Sequence, residues 1–264
     1  MFTKSIIKTF FRHYHVYIDH YNLSSTGISL NEFHQRRHSL VKLIRNYFQT
    51  EQKNFTICLP ASTLLFMGPD VVYFPYKQQS DFYYLTGCMQ PDAVLLMNGN
   101  SQDFSTHLFL PKSTDQYERW HGEIITDKDK ICQLFGIDHI YSIDKLSTVN
   151  IPSSSVLFCD SKTMNSLSIN KKNLMPFLKR FASATVCNQL NVFLDKLRSI
   201  KSISEQNLIR QACQLTSKAF IQTMKNCKKD VSNEYLIQAR FQYECQILDD
   251  ISMAFHPVVA AKGR

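Results

Sequence analysis

The 264-residue chain lacks three things that would have placed it quickly. No run of 18 apolar residues occurs, so the sequence offers no membrane-spanning helix. No two of its eight cysteines stand in a C-x-x-C pattern, and neither an H-x-x-x-H nor an H-E-x-x-H pairing is read among the nine histidines. No zinc site is therefore read from the sequence. Lys/Arg-rich blocks are also missing. The formal charge of +8 and pI of about 9.0 come from scattered cations. That pattern gives no nucleic-acid footprint, and no nucleic-acid partner is expected. The wide cysteine spacing, with Cys58 inside the apolar run FTICL, reads as reduced thiols packed as small hydrophobes.

What is present is an ordinary globular composition, 44% hydrophobic and 12% aromatic, at a length that suits one large domain or two smaller ones. The first 18 residues contain Lys4, Lys8 and Arg12 on one helical face and no acid. Residues 1–26 thus have the composition of a mitochondrial presequence, so a mitochondrial location is expected, with the cytoplasm as the alternative.

Ser29 and Glu32 form an S-x-x-E pair ahead of Phe33, Arg36, Arg37, Leu40, Leu43 and Ile44 at helical spacing. This predicts an amphipathic helix with Phe33, Leu40, Leu43 and Ile44 facing a core. Strands are expected over 54–60, 93–97, 107–110 and 156–159, the middle two as a hairpin around Asn98–Gly99–Asn100. The aromatic run Phe82–Leu85 reads as strand-like on composition. Lys128–Phe135 reads as a helix stopped by Gly136, and residues 174–181 as a short helix. A connector is placed at 185–191. Ser202 and Glu205 make a second capping box before a stripe of Leu208, Ala212, Leu215 and Ala219. A last helix through Leu236, Ala239, Tyr243 and Leu248 is expected to be core.

Several segments resemble one family in order. Gly27-Ile28-Ser29…Phe33…Arg36-Arg37 is similar to the first helix of the aminopeptidase P N-terminal domain. Tyr76, Gln78, Ser80, Asp81, Phe82, Tyr84, Leu85, Gly87, Pro91 and Asp92 resemble its hallmark strand pair. Glu118-Arg119-Trp120-His121-Gly122 resembles its E-x-W-x-G turn. Leu197, Arg198, Ile200, Lys201, Ser202 and Glu205 resemble the entry to a "pita-bread" catalytic domain. The segment 215–224, with Phe241, Tyr243, Glu244 and Cys245, resembles the first helices of the mitochondrial Xaa-Pro aminopeptidase 3 branch.

The resemblance implies an α/β N-terminal domain with a mixed sheet over 27–185. It further implies the start of an α+β pita-bread metallopeptidase domain over 192–264. It also implies removal of an N-terminal residue that precedes proline, whose tertiary amide lacks an N–H and fixes φ. Two divalent ions, typically Mn2+, would activate water and polarise the carbonyl. The family's two aspartates, histidine and two glutamates are expected beyond Arg264. No catalytic or metal residue is therefore assigned in this chain, no substrate-binding residue is named, and no metal is expected to bind it specifically. Asp249 and Asp250 point to different helix faces and read as solvated, and His256 as a packing substitution.

Two readings stay open. One is an Xaa-Pro aminopeptidase of which this is a truncated part, acting on peptides with proline second. The other is an inactive family member serving as a homo-oligomerising or binding module, with Trp120 and the Tyr76–Tyr84 aromatics as candidate surface. A creatinase-like activity fits residues 76–94 less well.

Overall fold

A computed structural model describes residues 27–49, 53–65, 76–112, 127–152, 154–159, 171–179, 186–227, 233–248, 253–255 and 257–260. The expected presequence, Trp120 and its turn, Asp249, Asp250 and His256 lie outside the described residues. The chain divides into two compact units, Met1–Ile200 and Lys201–Arg264.

The first unit starts with helix α1 (Leu30–Tyr47), where the Ser29 hydroxyl accepts a bond from the Glu32 N–H. The hydroxyl satisfies one of the donors a helix start leaves free. Phe33, Leu40 and Ile44 are buried as expected, whereas Leu43 is only half-buried and Val41 is buried in its stead; Arg36 and Arg37 are buried with them. Strand β1 (Phe55–Pro60) is buried along its whole length.

The run read as strand-like is helix α2 (Ser80–Thr86). Composition misled because local chemistry decides here. The Gln79 side chain caps the Phe82 N–H, and Gly87 ends the helix at φ 67. Phe82, Leu85 and Thr86 are buried at spacings of three and four, a helical period inside an aromatic segment. The hallmark segment is thus a capped helix followed by a strand, not a strand pair.

Strands β2 (Val94–Gly99) and β3 (Phe104–Leu110) form the expected antiparallel hairpin. Gly99 still pairs with Phe104, and the turn lies one residue later. There the Asn100 side-chain oxygen accepts from the N–H groups of Gln102 and Asp103. Helix α3 (Lys128–Phe135) ends at Gly136 as read, with φ 57. Strand β4 (His139–Ser142), a 3-10 turn at Ile143–Thr148 and strand β5 (Val156–Phe158) follow. Then come helix α4 (Lys171–Lys179), strand β6 (Val186–Cys187) and helix α5 (Leu190–Ser199). The segment read as a connector therefore contains β6 and the start of α5.

The six strands form one mixed sheet in the order β4-β3-β2-β1-β5-β6. Pairings β1/β2 and β2/β3 are antiparallel; β1/β5, β3/β4 and β5/β6 are parallel. Side chains alternate between two cores, as a strand period of two requires. Phe55, Ile57, Leu59, Leu95, Met97 and Leu108 face the layer of α1, α2, α3 and α5. Cys58, Val94, Leu96 and Phe109 face the opposite layer, with Leu146, Leu174 and Phe177. Both faces of the central strands are covered, so those strands read as continuous apolar runs.

The second unit contains helices α6 (Ile203–Asn226) and α7 (Glu234–Leu248). The capping box of Ser202 and Glu205 is complete in both directions. Phe220 packs against Phe241 with ring centroids 4.5 Å apart and the planes tilted by 38°. On α6, Ala219 and Thr223 are buried, while Ala212 of the expected stripe is exposed. The expected core face of α7 is corrected: Leu236, Ala239, Tyr243 and Leu248 are exposed, and the buried residue is Glu244, paired with Arg240.

Candidate functional site

The densest polar chemistry lies where α1 meets the segment 76–92. Gln78 is buried and uses both ends of its amide. Its Oε1 accepts from the Ser62 and Gln79 N–H groups at 2.9 and 2.8 Å. Its Nε2 donates to the Cys88 and Gln90 carbonyls at 3.1 and 3.2 Å. One side chain thereby ties the strand leaving β1 to both flanks of α2, which explains a glutamine at this place.

Arg36 and Arg37 hold the C-terminal end of α2 from the other side. Arg36 donates to the Tyr84 carbonyl at 3.2 Å and pairs with Glu32 at 2.7 Å. Its guanidinium lies over the Tyr84 ring at 4.3 Å. Arg37 donates to the Leu85 carbonyl at 2.7 Å and to the Gly136 carbonyl. The last carbonyls of a helix have no partner within it, and a cation there also suits the dipole. Burial pushes the Arg37 pKa down to about 10, with Asp138 acting the other way. Arg198 on α5 pairs with Asp81 at the opposite end of α2.

Asp92 closes the segment and is its most perturbed acid. Its φ is 59, a conformation that aspartate tolerates better than most residues. Its N–H donates to the Ser62 carbonyl at 3.0 Å, while its Oδ1 is buried with no hydrogen-bond partner. Burial raises its pKa to about 6. A desolvated carboxyl of this kind can take a proton or a cationic partner near neutral pH.

The aromatics of this segment divide between core and contact. Phe82 is fully buried, Tyr83 meets Phe33 edge-on at 6.2 Å, and Tyr84 is stacked by Arg36. Sequence reasoning placed Arg36 and Arg37 on α1 but missed their capping role, since nothing in the sequence pairs residue 37 with residue 136. It also missed a pair on the exposed side of the same helix. His34 and His38 stand four residues apart, and their Nε2 atoms approach to 3.3 Å. The H-x-x-x-H spacing was the available signal.

All eight cysteines are free, and Cys58, Cys88 and Cys159 are buried, as expected of apolar thiols. Burial pushes Cys88 up to about 12 and Cys58 higher. Neither is a nucleophile at neutral pH. Among the described residues no group of three or more His, Cys, Asp or Glu could hold a metal ion. Among them, no helix is long and apolar enough to cross a membrane.

Residues 33–162 match the family described as aminopeptidase P, N-terminal domain. The chain is 30% identical over 236 residues to the mitochondrial intermediate cleaving peptidase 55 of Arabidopsis thaliana, covering 88% of this chain and 44% of that protein. It is 27% identical over 248 residues to human Xaa-Pro aminopeptidase 3, covering 90% and 48%. Among solved structures, Zn-substituted E. coli aminopeptidase P in complex with product superposes with a TM-score of 0.67. That match has 21% identity and covers 82% of this chain and 49% of that one, so it speaks for the fold. The mixed sheet and its two helical layers are those of an aminopeptidase P N-terminal domain. The chain belongs to the aminopeptidase P family through that domain, and it spans about half the length of the relatives it matches.

Proposed function

We infer that this chain supplies the N-terminal domain and the opening catalytic-domain helices of an Xaa-Pro aminopeptidase. Such an enzyme removes the residue ahead of a proline and would work in the mitochondrion with a pair of divalent ions, manganese in the expected case. The observation that carries this reading is the reach of the similarity. It runs over 90% of the chain, past the domain match that ends at residue 162 and into the second unit. The name of the Arabidopsis relative supports the location. The proposed boundaries are 1–26 for a presequence, 27–185 for the N-terminal domain and 192–264 for the start of the pita-bread domain.

The described residues do not fit the metal pair, since they hold no cluster of three candidate ligands. No hydrolytic step is therefore assigned to them. What they do is structural: Gln78, Arg36 and Arg37 fix α2 between α1 and the sheet.

The test uses an antibody against residues 60–120 on the endogenous protein. The expected result is a band well above the 30.7 kDa of this chain. The precipitate, supplied with Mn2+, should release the first residue from peptides with proline second. A precipitate of any mass that leaves such peptides intact overturns the proposal.

A second reading, a binding or self-associating module, is favoured by one observation. Ile203, Phe220, Met224, Tyr235, Leu236 and Ile247 on α6 and α7 are all more than half exposed. Large exposed apolar side chains on a pair of helices are what an interface would cover. A strictly monomeric purified chain would speak against that reading.

A further inference from the structure

We propose that His34 and His38 form a chelating site for one nitrogen-preferring divalent cation, Zn2+, Ni2+ or Cu2+, on the outer face of α1. The site lies in the N-terminal domain and is independent of the aminopeptidase reading.

The geometry carries the proposal. Residues four apart on a helix share a face, so two histidines at that spacing can turn toward one point. Here they do so through the same atom of each ring, with Nε2 to Nε2 at 3.3 Å. A tetrahedral ion with metal–nitrogen bonds of about 2.05 Å requires its ligand nitrogens about 3.3–3.4 Å apart. The pair therefore already stands at the separation a tetrahedral Zn2+ needs, and it must close by a few tenths of an ångström, to about 2.9–3.0 Å, for the 90° angle of Ni2+ or Cu2+. The approach is also longer than the mode of about 2.9–3.0 Å for a hydrogen bond donated by nitrogen. The rings lie 4.3 Å apart between centroids at 54°. The His38 ring is further held edge-on against Phe104 at 4.7 Å. A ligand fixed by packing loses less entropy when it binds.

The surroundings suit a hydrated ion. Both histidines are exposed and line a cavity of about 280 Å³ together with Arg45, Asp103, Phe104 and Asp138. The Asp103 and Asp138 carboxylates offset the charge of Arg45, and Arg37 lies close enough to act on His34. The Asp138 Oδ2 is engaged by the Thr106 N–H at 2.7 Å and the Thr106 hydroxyl at 2.6 Å, which fixes the carboxylate beside the cavity. Among the described residues no third side-chain ligand joins the pair, so water would fill the remaining positions. In the neutral, metal-free pair one Nε2–H can donate to the other Nε2. On binding, both Nε2 atoms offer lone pairs and each ring keeps its proton on Nδ1. No proton leaves a neutral pair.

The test titrates the full chain with Ni2+ and with Zn2+ at pH 7.5 by calorimetry, and repeats this for His34→Gln, His38→Gln and the double variant. Exposed positions tolerate these changes, and far-UV circular dichroism confirms that α1 persists. The expected result is one ion fewer per chain in the double variant. Each single variant should lose at least tenfold in affinity at that site, because a chelate needs both rings. Added Ni2+ should also raise the Tm of the wild type and not of the double variant, since an ion bound only by the folded helix stabilises it. Equal stoichiometry and affinity in wild type and double variant would overturn the site. Unchanged affinity in either single variant would overturn the chelate.

Discussion

Replacing Arg37 by methionine is the sharpest test of how α2 is held. Arg37 is fully buried and its guanidinium serves two carbonyls that belong to different elements, Leu85 on α2 and Gly136 at the end of α3. Hydrogen bonds from a charged donor contribute about 1.5–3 kcal/mol each, and a buried carbonyl left without a donor costs about 1–3 kcal/mol. Against this stands the penalty for burying the cation. The drop of the pKa from 12.5 to about 10 puts it at roughly 3 kcal/mol. Methionine fills similar space and removes that penalty, but it orphans both carbonyls. The net loss should be about 2–4 kcal/mol, a large share of the roughly 5–15 kcal/mol that holds a domain folded. Alanine adds a cavity and should lose more, while lysine, with a single point of charge, should fall between wild type and methionine. Urea unfolding gives the global value. Because the chain has two units, hydrogen exchange at residues 83–88 gives the local one. There the Gly87 N–H donates to the Tyr83 carbonyl at 2.8 Å, and its protection should collapse first. A methionine variant as stable as the wild type, with Gly87 protection intact, would refute the capping argument.

Two further outcomes follow from particular contacts. A Cβ built at Gly99 would lie 2.5 Å from the Phe55 ring and 2.9 Å from the Phe104 Cβ. Gly99→Ala should therefore cost about 1–3 kcal/mol by forcing the β1–β2–β3 register apart, read as a lower Tm; an unchanged Tm would show that Phe55 can move aside. Asp92 has a folded pKa of about 6, above the 3.8 of a freely solvated aspartate. Between those values the folded state binds more protons than the unfolded one, so this group's contribution to stability falls as pH rises through the window. Asp92→Asn should remove that slope and be as stable as the wild type or more so at pH 7. A variant that keeps the full slope between pH 4 and 6 would locate it elsewhere.

Much of the chain was legible because its signals are local. The run Phe55–Pro60 is apolar throughout and became a strand covered on both faces. Lys128–Phe135 carries its own stop at Gly136, and Ser202 with Glu205 carries both halves of a capping box. Each of these depends on residues within four positions, so propensity and capping chemistry suffice. The run Phe82–Leu85 was misread because aromatic content was weighed above the cap at Gln79 and the stop at Gly87, which were equally visible in the sequence. The inward face of α7 failed for another reason. An apolar residue is buried only if something covers it, and Leu236 and Tyr243 are exposed where periodicity alone would bury them.

The sequence by itself determined most of the longer elements, their caps and the family, since these rest on short-range patterns and on a segment order that survives at about 30% identity. Tertiary structure alone decided the rest. Strand order placed β5 beside β1 although about 100 residues separate them in the chain. Burial turned Arg36 and Arg37 from two surface cations into the caps of a helix 48 residues away. The fold brought Thr106, Asp138 and the His34–His38 pair around one cavity. Hydrogen bonds, desolvation and metal chelation act over a few ångströms of space, and that distance is set by folding and not by position along the chain.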